Sequence, residues 1–552
     1  DKGENLPVWD DEFYLEAHRG TYTSKGDLKK LNRKGELLYR DAEILSSLAF
    51  AKGMDYSMEE LNKGWKLLLL NQFHDTLPGS HVPEAVPDMY RDYEELYAIG
   101  ESVKKRALGY LVSRMTGNFG FTVFNTLSWD RRSVVSIPWT EEAGSVCLGG
   151  EHLSCQKKGD QLFFDPSSLP SMGWISGNVS SEKAESENSV KEIPGGIETE
   201  FYRIEWDSRG WLKSVYDKEN NRQVLQGRGN ELLVFEDDPG KNFGAWDIAS
   251  HYNEYSYDVN LVRNWTLREN GPVFAELEAE WSVLDSKIVQ TMRVFRNHRS
   301  IEFDTFADWQ NSKKLLKTSF DLAVRSRRAT YDLPFGHIER TTHSNTSWDQ
   351  ARFEVCGHKW ADLSEGDYGV ALMNDCKYGY DAQDNILRLS LLRSPVKPDK
   401  TSDIGEHRFS YALLPHKGIW QQGAVDRRAY EFNIPPVSEV NTGERASDNR
   451  GGAVLPPEYS FLNLKGEGQI VEALKPSEDG RSLILRSFDS HNTHTRTAVH
   501  INHKLAACQS TDLLEQAEET LYVQDNEIDL LFSPMEIKTC RLELSVENSG
   551  ES

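Results

Sequence analysis

The sequence predicts a multidomain chain that is α first and all-β thereafter, a three-helix bundle followed by β-sandwich domains. Three observations predict it. Up to Ser113 the apolar residues recur at three, four and seven. Beyond Asn118 the recurrence drops to two, and strand patterns then follow one another with no helical pattern between them. At about 100–200 residues per domain, 552 residues predict three or four domains, each able to bury a core.

The first helix is expected from Leu28, with Leu31, Leu38, Ala42, Leu45 and Leu48 as its apolar stripe. Lys30, Arg33, Arg40 and Glu43 lie between them, and Gly53 ends it. A second helix starts at Ser57, with Glu60 placed to close a capping box. Its stripe is Leu61, Trp65, Leu69 and Phe73, but Leu67, Leu68 and Leu70 make it apolar nearly all round, so it is expected to be covered on more than one side. Pro78-Gly79 stops it. The third helix runs from Pro83 to Ser113, with Met89, Tyr93, Leu96, Ile99, Val103 and Leu111 inward. Short connections make the three antiparallel.

Among the strands, 273–283 is clearest: Val273, Ala275, Leu277, Ala279, Trp281 and Val283 face a core, with Glu276, Glu278, Glu280 and Ser282 turned to water. Others are expected at 301–306, 368–373, 386–392 and 535–544, the last bulged between Ile537 and Leu542 where the apolar phase slips. The bundle is drawn over 25–116, a small β-sandwich over 117–196, a large β unit over 197–450 and a terminal β domain over 451–552. Polar stretches at 178–194 and 441–451 mark two of these boundaries, and there is no repeat of fixed period.

A net charge of −24 argues against nucleic acid, whose phosphates need a basic stripe. No run approaches the ~18 apolar residues of a membrane span, and Asp1-Lys2-Gly3-Glu4-Asn5 is not a basic-then-apolar leader. Six scattered cysteines make a reducing, cytoplasmic compartment the expectation; sequons at Asn178, Asn264 and Asn345 would point the other way if glycosylated.

Two segments carry chemistry. Asn71-Gln72-Phe73-His74-Asp75-Thr76-Leu77-Pro78-Gly79-Ser80 sets an imidazole beside a carboxylate, a pairing that a zinc ion and a sugar hydroxyl can both use. A His-Asp at a helix end is more often a cation favoured by the helix dipole next to a turn carboxylate. Glu16-Ala17-His18-Arg19-Gly20-Thr21-Tyr22-Thr23-Ser24 is polar enough to line a sugar site, and a surface loop explains it equally well. Cys356 and His358 share a strand face, but with no second pair they read as packing. Trp348, Trp360, Tyr378 and Tyr380 read as core and seam rings.

These two segments, about fifty residues apart, together resemble family 38 glycoside hydrolases, the class II α-mannosidases. The resemblance continues through Pro334-Phe335-Gly336-His337-Ile338-Glu339-Arg340, the run from Arg352 to Ser364, and Asn374-Asp375-Cys376-Lys377-Tyr378-Gly379-Tyr380, which are similar to the cytosolic and vacuolar branch. It covers the chain essentially from end to end. It implies a zinc-dependent retaining enzyme that removes terminal α-mannose from oligosaccharides, with His74 as one zinc ligand, Asp75 on sugar hydroxyls and Tyr22 lining the site. It makes 25–116 the central mannosidase domain, 197–450 a large β-supersandwich, and residues 1–24 the end of a catalytic domain.

That (β/α) catalytic domain, with its His-x-Asp pair, nucleophile and general acid, is expected upstream of residue 1, so no catalytic carboxyl is assigned here and the chain alone is expected to be inactive. The expected partners are that domain, mannose-containing oligosaccharides and, as is common in this branch, further copies in a homo-oligomer. The compartment is cytoplasmic, or vacuolar or lysosomal in type. The competing reading is a non-catalytic carbohydrate-binding or assembly module, with a plain scaffold third. An in-frame (β/α) domain upstream separates enzyme from module.

Overall fold

The computed structural model describes residues 8–10, 12–240, 244–441 and 454–545. Three long helices open the chain: α1 (Gly26–Phe50), α2 (Met58–Asn71) and α3 (Val86–Ser113). Two short ones follow, α4 (Ser347–Ala351) and α5 (Val425–Asn433), in a region where the sequence pattern predicts strands alone.

The central helix is α1. Its start is capped from far along the chain: the Asp403 carboxylate accepts from the Lys25 and Gly26 backbone N–H groups at 2.5 and 2.7 Å, satisfying amides that a helix leaves orphaned. The apolar stripe packs as expected, but the intervening charges do not form a solvent face. Arg33 and Arg40 are buried because β domains lie against that side. Arg33 Nε donates to Tyr378 Oη at 2.9 Å, and Arg40 Nη2 reaches the Thr126 and Val471 carbonyls at 3.3 and 3.1 Å.

On α2, two expectations are corrected. Ser57 makes no side-chain cap; its hydroxyl accepts from Arg106, which also pairs with Glu60, so both halves of the expected box serve α3 instead. The buried face is Leu61, Gly64, Leu68 and Asn71, rotated from the predicted stripe because Gly64 sits against the Tyr39 ring of α1. Leu69, Leu70 and Phe73 are therefore left 58, 62 and 55% exposed, and no part of the described chain covers that flank. The inward stripe of α3 is as predicted, with Ile99 only half-buried.

The β part is antiparallel in six sheets among the described residues. The first is built from strands between Phe121 and Ser180, joined by Val437–Val440 and Glu458–Ser460, so chain flanking 442–453 on both sides returns to it. Sheets of five, six and nine strands between Lys191 and Lys417 share one core, in which Trp211 stacks on Trp281 with centroids 5.3 Å apart. Sheets of four and five strands complete the chain and pack onto Leu45, Leu48, Leu108 and Leu111 at one end of the bundle.

Strands occur at all the predicted places, with two corrections. Glu276 is not turned to water: it is buried between Arg293, at 2.7 Å, and Lys158. The strand Ile537–Leu544 has no bulge between Ile537 and Leu542, where its register with Leu483–Phe488 is unbroken; the irregularity is on its other neighbour, between Leu505 and Ala507. It runs inside its sheet with Thr539 and Cys540 both buried, and burial on both faces removes the alternation.

Candidate functional site

At Asn71, α2 ends, and its tip is tied down by side chains on either side. Asn71 Nδ2 donates to Asp92 at 3.1 Å, and Gln72 Nε2 donates to Asn32 and Glu36 at 3.0 and 2.8 Å. The next residues close on themselves, with Thr76 N and Leu77 N both donating to Phe73 O and Gly79 N to Thr76 O. This turn lifts His74 into solvent, 77% exposed at the side chain, with Phe73 against its ring at 4.1 Å between centroids. His74 Nε2 lies 3.7 Å from Asp75 Oδ2, and Asp75 Oδ1 accepts from Ser80 at 3.1 Å. His81, two residues from this turn's end, is buried, and desolvation lowers its basicity.

The 16–24 segment enters as a 3-10 turn over Arg19–Tyr22. Arg19 is buried: it pairs with Asp247 at 3.3 Å, donates to Ala351 O and lies 4.5 Å over the Phe353 ring. His18 stays exposed. Tyr22 is half-buried and turned toward the supersandwich; burial, with Cys356, Tyr14 and Glu12 nearby, pushes its phenol well above the usual range. A half-buried neutral hydroxyl is what Tyr22 offers here.

The structure brings the two segments together through the backbone. Lys29, one turn into α1, donates to Leu77 O at 2.9 Å and to Ser24 O. Gly79, at φ +79°, lies so close to Ser24 that a Cβ there would meet Ser24 O at 2.6 Å, which leaves room for glycine alone. Ser24 is also the joint with a third segment: Arg393 Nη1 donates to Ser24 Oγ at 2.9 Å and to Ala245 O at 3.1 Å, while Gly20 N donates to Trp246 O at 2.9 Å. Arg393 is buried against Asp237 at 2.5 Å. Desolvation carries the Lys29 amine down to about 7, with Asp403 and Asp27 working against it. An amine keeps two hydrogens for two carbonyls even when neutral.

Sequence reasoning missed Lys29, Arg393 and Asp403. A signal for the first existed: Lys29, Arg33, Glu36 and Arg40 fall at i, i+4, i+7 and i+11, one continuous stripe of α1, in which Lys29 and Glu36 meet the turn after α2 while Arg33 and Arg40 meet the sandwiches. No local pattern marks Arg393 or Asp403, whose partners are distant in sequence.

Could these residues hold zinc? A zinc site takes four ligands in a tetrahedron, at least three from protein. Among the described residues no group of three or more His, Cys, Asp or Glu is placed to hold a metal, and His74 with Asp75 at 3.7 Å is a two-donor fragment. The described residues do not by themselves fit the ion.

Of the packing expectations, Cys356 and His358 are half-buried, with His358 beyond the end of the short strand Val355–Cys356 and so not on its face: desolvation pushes the thiol up to about 11 and lowers the imidazole, which lies against the Tyr378 ring at 5.0 Å. Trp360 and Tyr380 are buried, but Trp348 is corrected. It is 64% exposed on α4, paired with Trp9 at 5.8 Å. A cleft of about 810 Å³ opens elsewhere, between the first sheet, the nine-stranded sheet and α5, and His74, Asp75 and Tyr22 are not in it. Charges that line it are engaged with one another, as in Arg428 with Glu431 at 2.7 Å and Lys34 with Asp375 at 3.5 Å.

Three family models match the chain: the alpha mannosidase middle domain over 16–111, the glycosyl hydrolases family 38 C-terminal domain over 197–401, and the family 38 C-terminal beta sandwich domain over 468–540. The chain belongs to glycosyl hydrolase family 38. Alpha-mannosidase 2C1 of Mus musculus is 34% identical over 99% of this family 38 chain and 51% of its own length, and that of Homo sapiens 32% over 98% and 51%. Alpha-mannosidase of Saccharomyces cerevisiae is 28% identical over 98% and 49%. The chain thus spans about half the length of the curated relatives it matches. An alpha-mannosidase from Enterococcus faecalis V583 shares the fold, with a TM-score of 0.80 at 16% identity over 95% of this chain and 68% of that one. The middle-domain match contains Tyr22, Lys29, His74 and Asp75; the C-terminal match contains Trp246 and Arg393. No helix among the described residues is long and apolar enough to cross a membrane.

Proposed function

We propose that this chain is the middle and C-terminal part of a zinc-dependent retaining α-mannosidase that removes terminal α-mannose from oligosaccharides. One observation carries the reading: His74 and Asp75 stand in solvent at the tip of α2, directly beside the uncovered apolar residues Leu69, Leu70 and Phe73. An imidazole presented on an apolar flank is arranged for a surface brought by another domain. The family 38 relatives, named as alpha-mannosidases and about twice as long, support such a domain upstream.

In this reading His74 completes a zinc site whose other ligands lie in the upstream (β/α) domain. Asp75, braced by Ser80, accepts hydrogen bonds from sugar hydroxyls, and Tyr22 lines the approach from the supersandwich side. Retention requires two carboxyls about 5–5.5 Å apart, one attacking and one protonating the leaving oxygen; both belong to the upstream domain, so this polypeptide alone is inactive. The six cysteines are unpaired thiols, which supports a reducing, cytoplasmic site of action.

The test is zinc analysis and an aryl α-mannoside assay on the full-length product with His74 intact and with His74→Ala. The expected result is loss of bound zinc and a fall in kcat/KM of at least about a hundredfold. Cleavage by the present chain alone, at a rate abolished by His74→Ala, refutes the division of labour; full zinc and full activity in the His74→Ala protein refute the site.

A further inference from the structure

We infer that Lys29 is a positioning residue for His74: it clamps the turn at the tip of α2 onto the His18–Ser24 segment and so sets where the imidazole is presented. The inference rests on the proposed role of His74.

The geometry gives Lys29 little else to do. Its side chain is buried and runs to two carbonyls, Leu77 O at 2.9 Å and Ser24 O, one from each segment. Leu77 N donates back to Phe73 O, and Thr76 N to the same oxygen, so residues 73–77 form one hydrogen-bonded turn, and holding Leu77 O restrains His74 within it. The other end of the clamp is itself fixed. Ser24 Oγ accepts from Arg393, which is buried and paired with Asp237. Gly79 brings the turn close enough for the clamp to close, since any Cβ would press on Ser24 O. Taking an amine out of water is costly, and an unbranched apolar side chain would fill the same space. What the amine adds is the two directed hydrogen bonds. Among the described residues the His74 side chain meets Phe73 and Asp75, members of the same turn, so its position relative to α1 depends on what ties the turn down: Gln72 to Asn32 and Glu36 on its entering side, and Lys29 to Leu77 O on its leaving side.

The experiment uses the full-length protein carrying Lys29→Met, Gly79→Ala or His74→Ala. Three readouts are taken: hydrogen exchange of amides 73–80, the rate of zinc release to a chelator, and the melting temperature. Lys29→Met, close to Lys in length, is expected to speed exchange at 73–80 by about tenfold while the rest of the bundle keeps its protection. Zinc release is expected to quicken by about tenfold to a hundredfold at an unchanged melting temperature, which a merely structural residue would not produce. Gly79→Ala attacks the same joint from the opposite side and should give the same pattern; it decides the matter if Lys29→Met does not fold. A folded Lys29→Met protein with unchanged exchange and unchanged zinc release overturns the inference. Zinc and activity retained in His74→Ala overturn the functional reading instead, and the exchange of 73–80 still tests the clamp.

Discussion

A buried charge in this protein is governed by what replaces its water. Lys317 sits between Glu354 and Asp381, all three buried, and the carboxylates hold it charged. Glu43 on α1 has less. Its carboxylate accepts from the Trp65 indole at 2.9 Å, and burial outweighs that bond, carrying the carboxyl up to about 7. The sign follows from linkage: the folded state holds this proton more tightly than the unfolded chain, so the stability from Glu43 is complete below its ordinary value of 4.5 and is lost as pH rises through about 7. Glu43→Gln keeps an acceptor for Trp65 and removes the charge. It is expected to stabilise the chain by about 1–3 kcal/mol at pH 8 and hardly at all at pH 4.5. Thermal melts at the two pH values check this, and an equal gain at both would show that Glu43 does not titrate in that window.

Between elements, α2 approaches α1 closely at Gly64. A methyl group there would overlap the Tyr39 hydroxyl, which donates to Leu96 O of α3 at 2.7 Å. Two effects oppose each other in Gly64→Ala. Helix propensity favours alanine by about 1 kcal/mol, and overpacking costs about 1–3. Because Tyr39 is bonded to a third helix, it has no free direction in which to yield, so net destabilisation is expected, seen as a lower urea midpoint at unchanged slope. A higher midpoint would mean that the ring swings aside. The three long helices and the strands near 273–283, 301–306, 368–373, 386–392 and 535–544 were legible in the periodicity, since 3.6 and 2.0 are local properties; the short α4 and α5 were not. The rotation of α2 was not, because a glycine facing a tyrosine of another helix has no signature in its own window. Nor was the phase of Ile537–Leu544, which reflects cover on both faces.

For the whole molecule, the uncovered residues matter most. Leu69, Leu70 and Phe73 at the α2 tip, and Phe13, Leu15 and Trp348 near the chain's beginning in space, are large apolar side chains left in water. Patches of this kind mark interfaces. The chain by itself is therefore expected to bind a hydrophobic dye and to self-associate, and Leu69→Ser/Leu70→Ser/Phe73→Ser to lower both without lowering the melting temperature. Dye fluorescence and light scattering measure this; a clean monomer that binds no dye would mean that the flank needs no cover.

The succession of three long helices by β structure, the acidic charge, and the two segments around His18 and His74 were determined by local residue pattern, because periodicity and motif act over a few positions. Tertiary structure alone decided that Lys29 and Gly79 join those segments, that Arg19 and Arg393 are buried supports, and that Asp403 caps α1 from far along the chain. Those contacts link residues tens to hundreds of positions apart, and their free energy exists only once the segments that carry them have packed together.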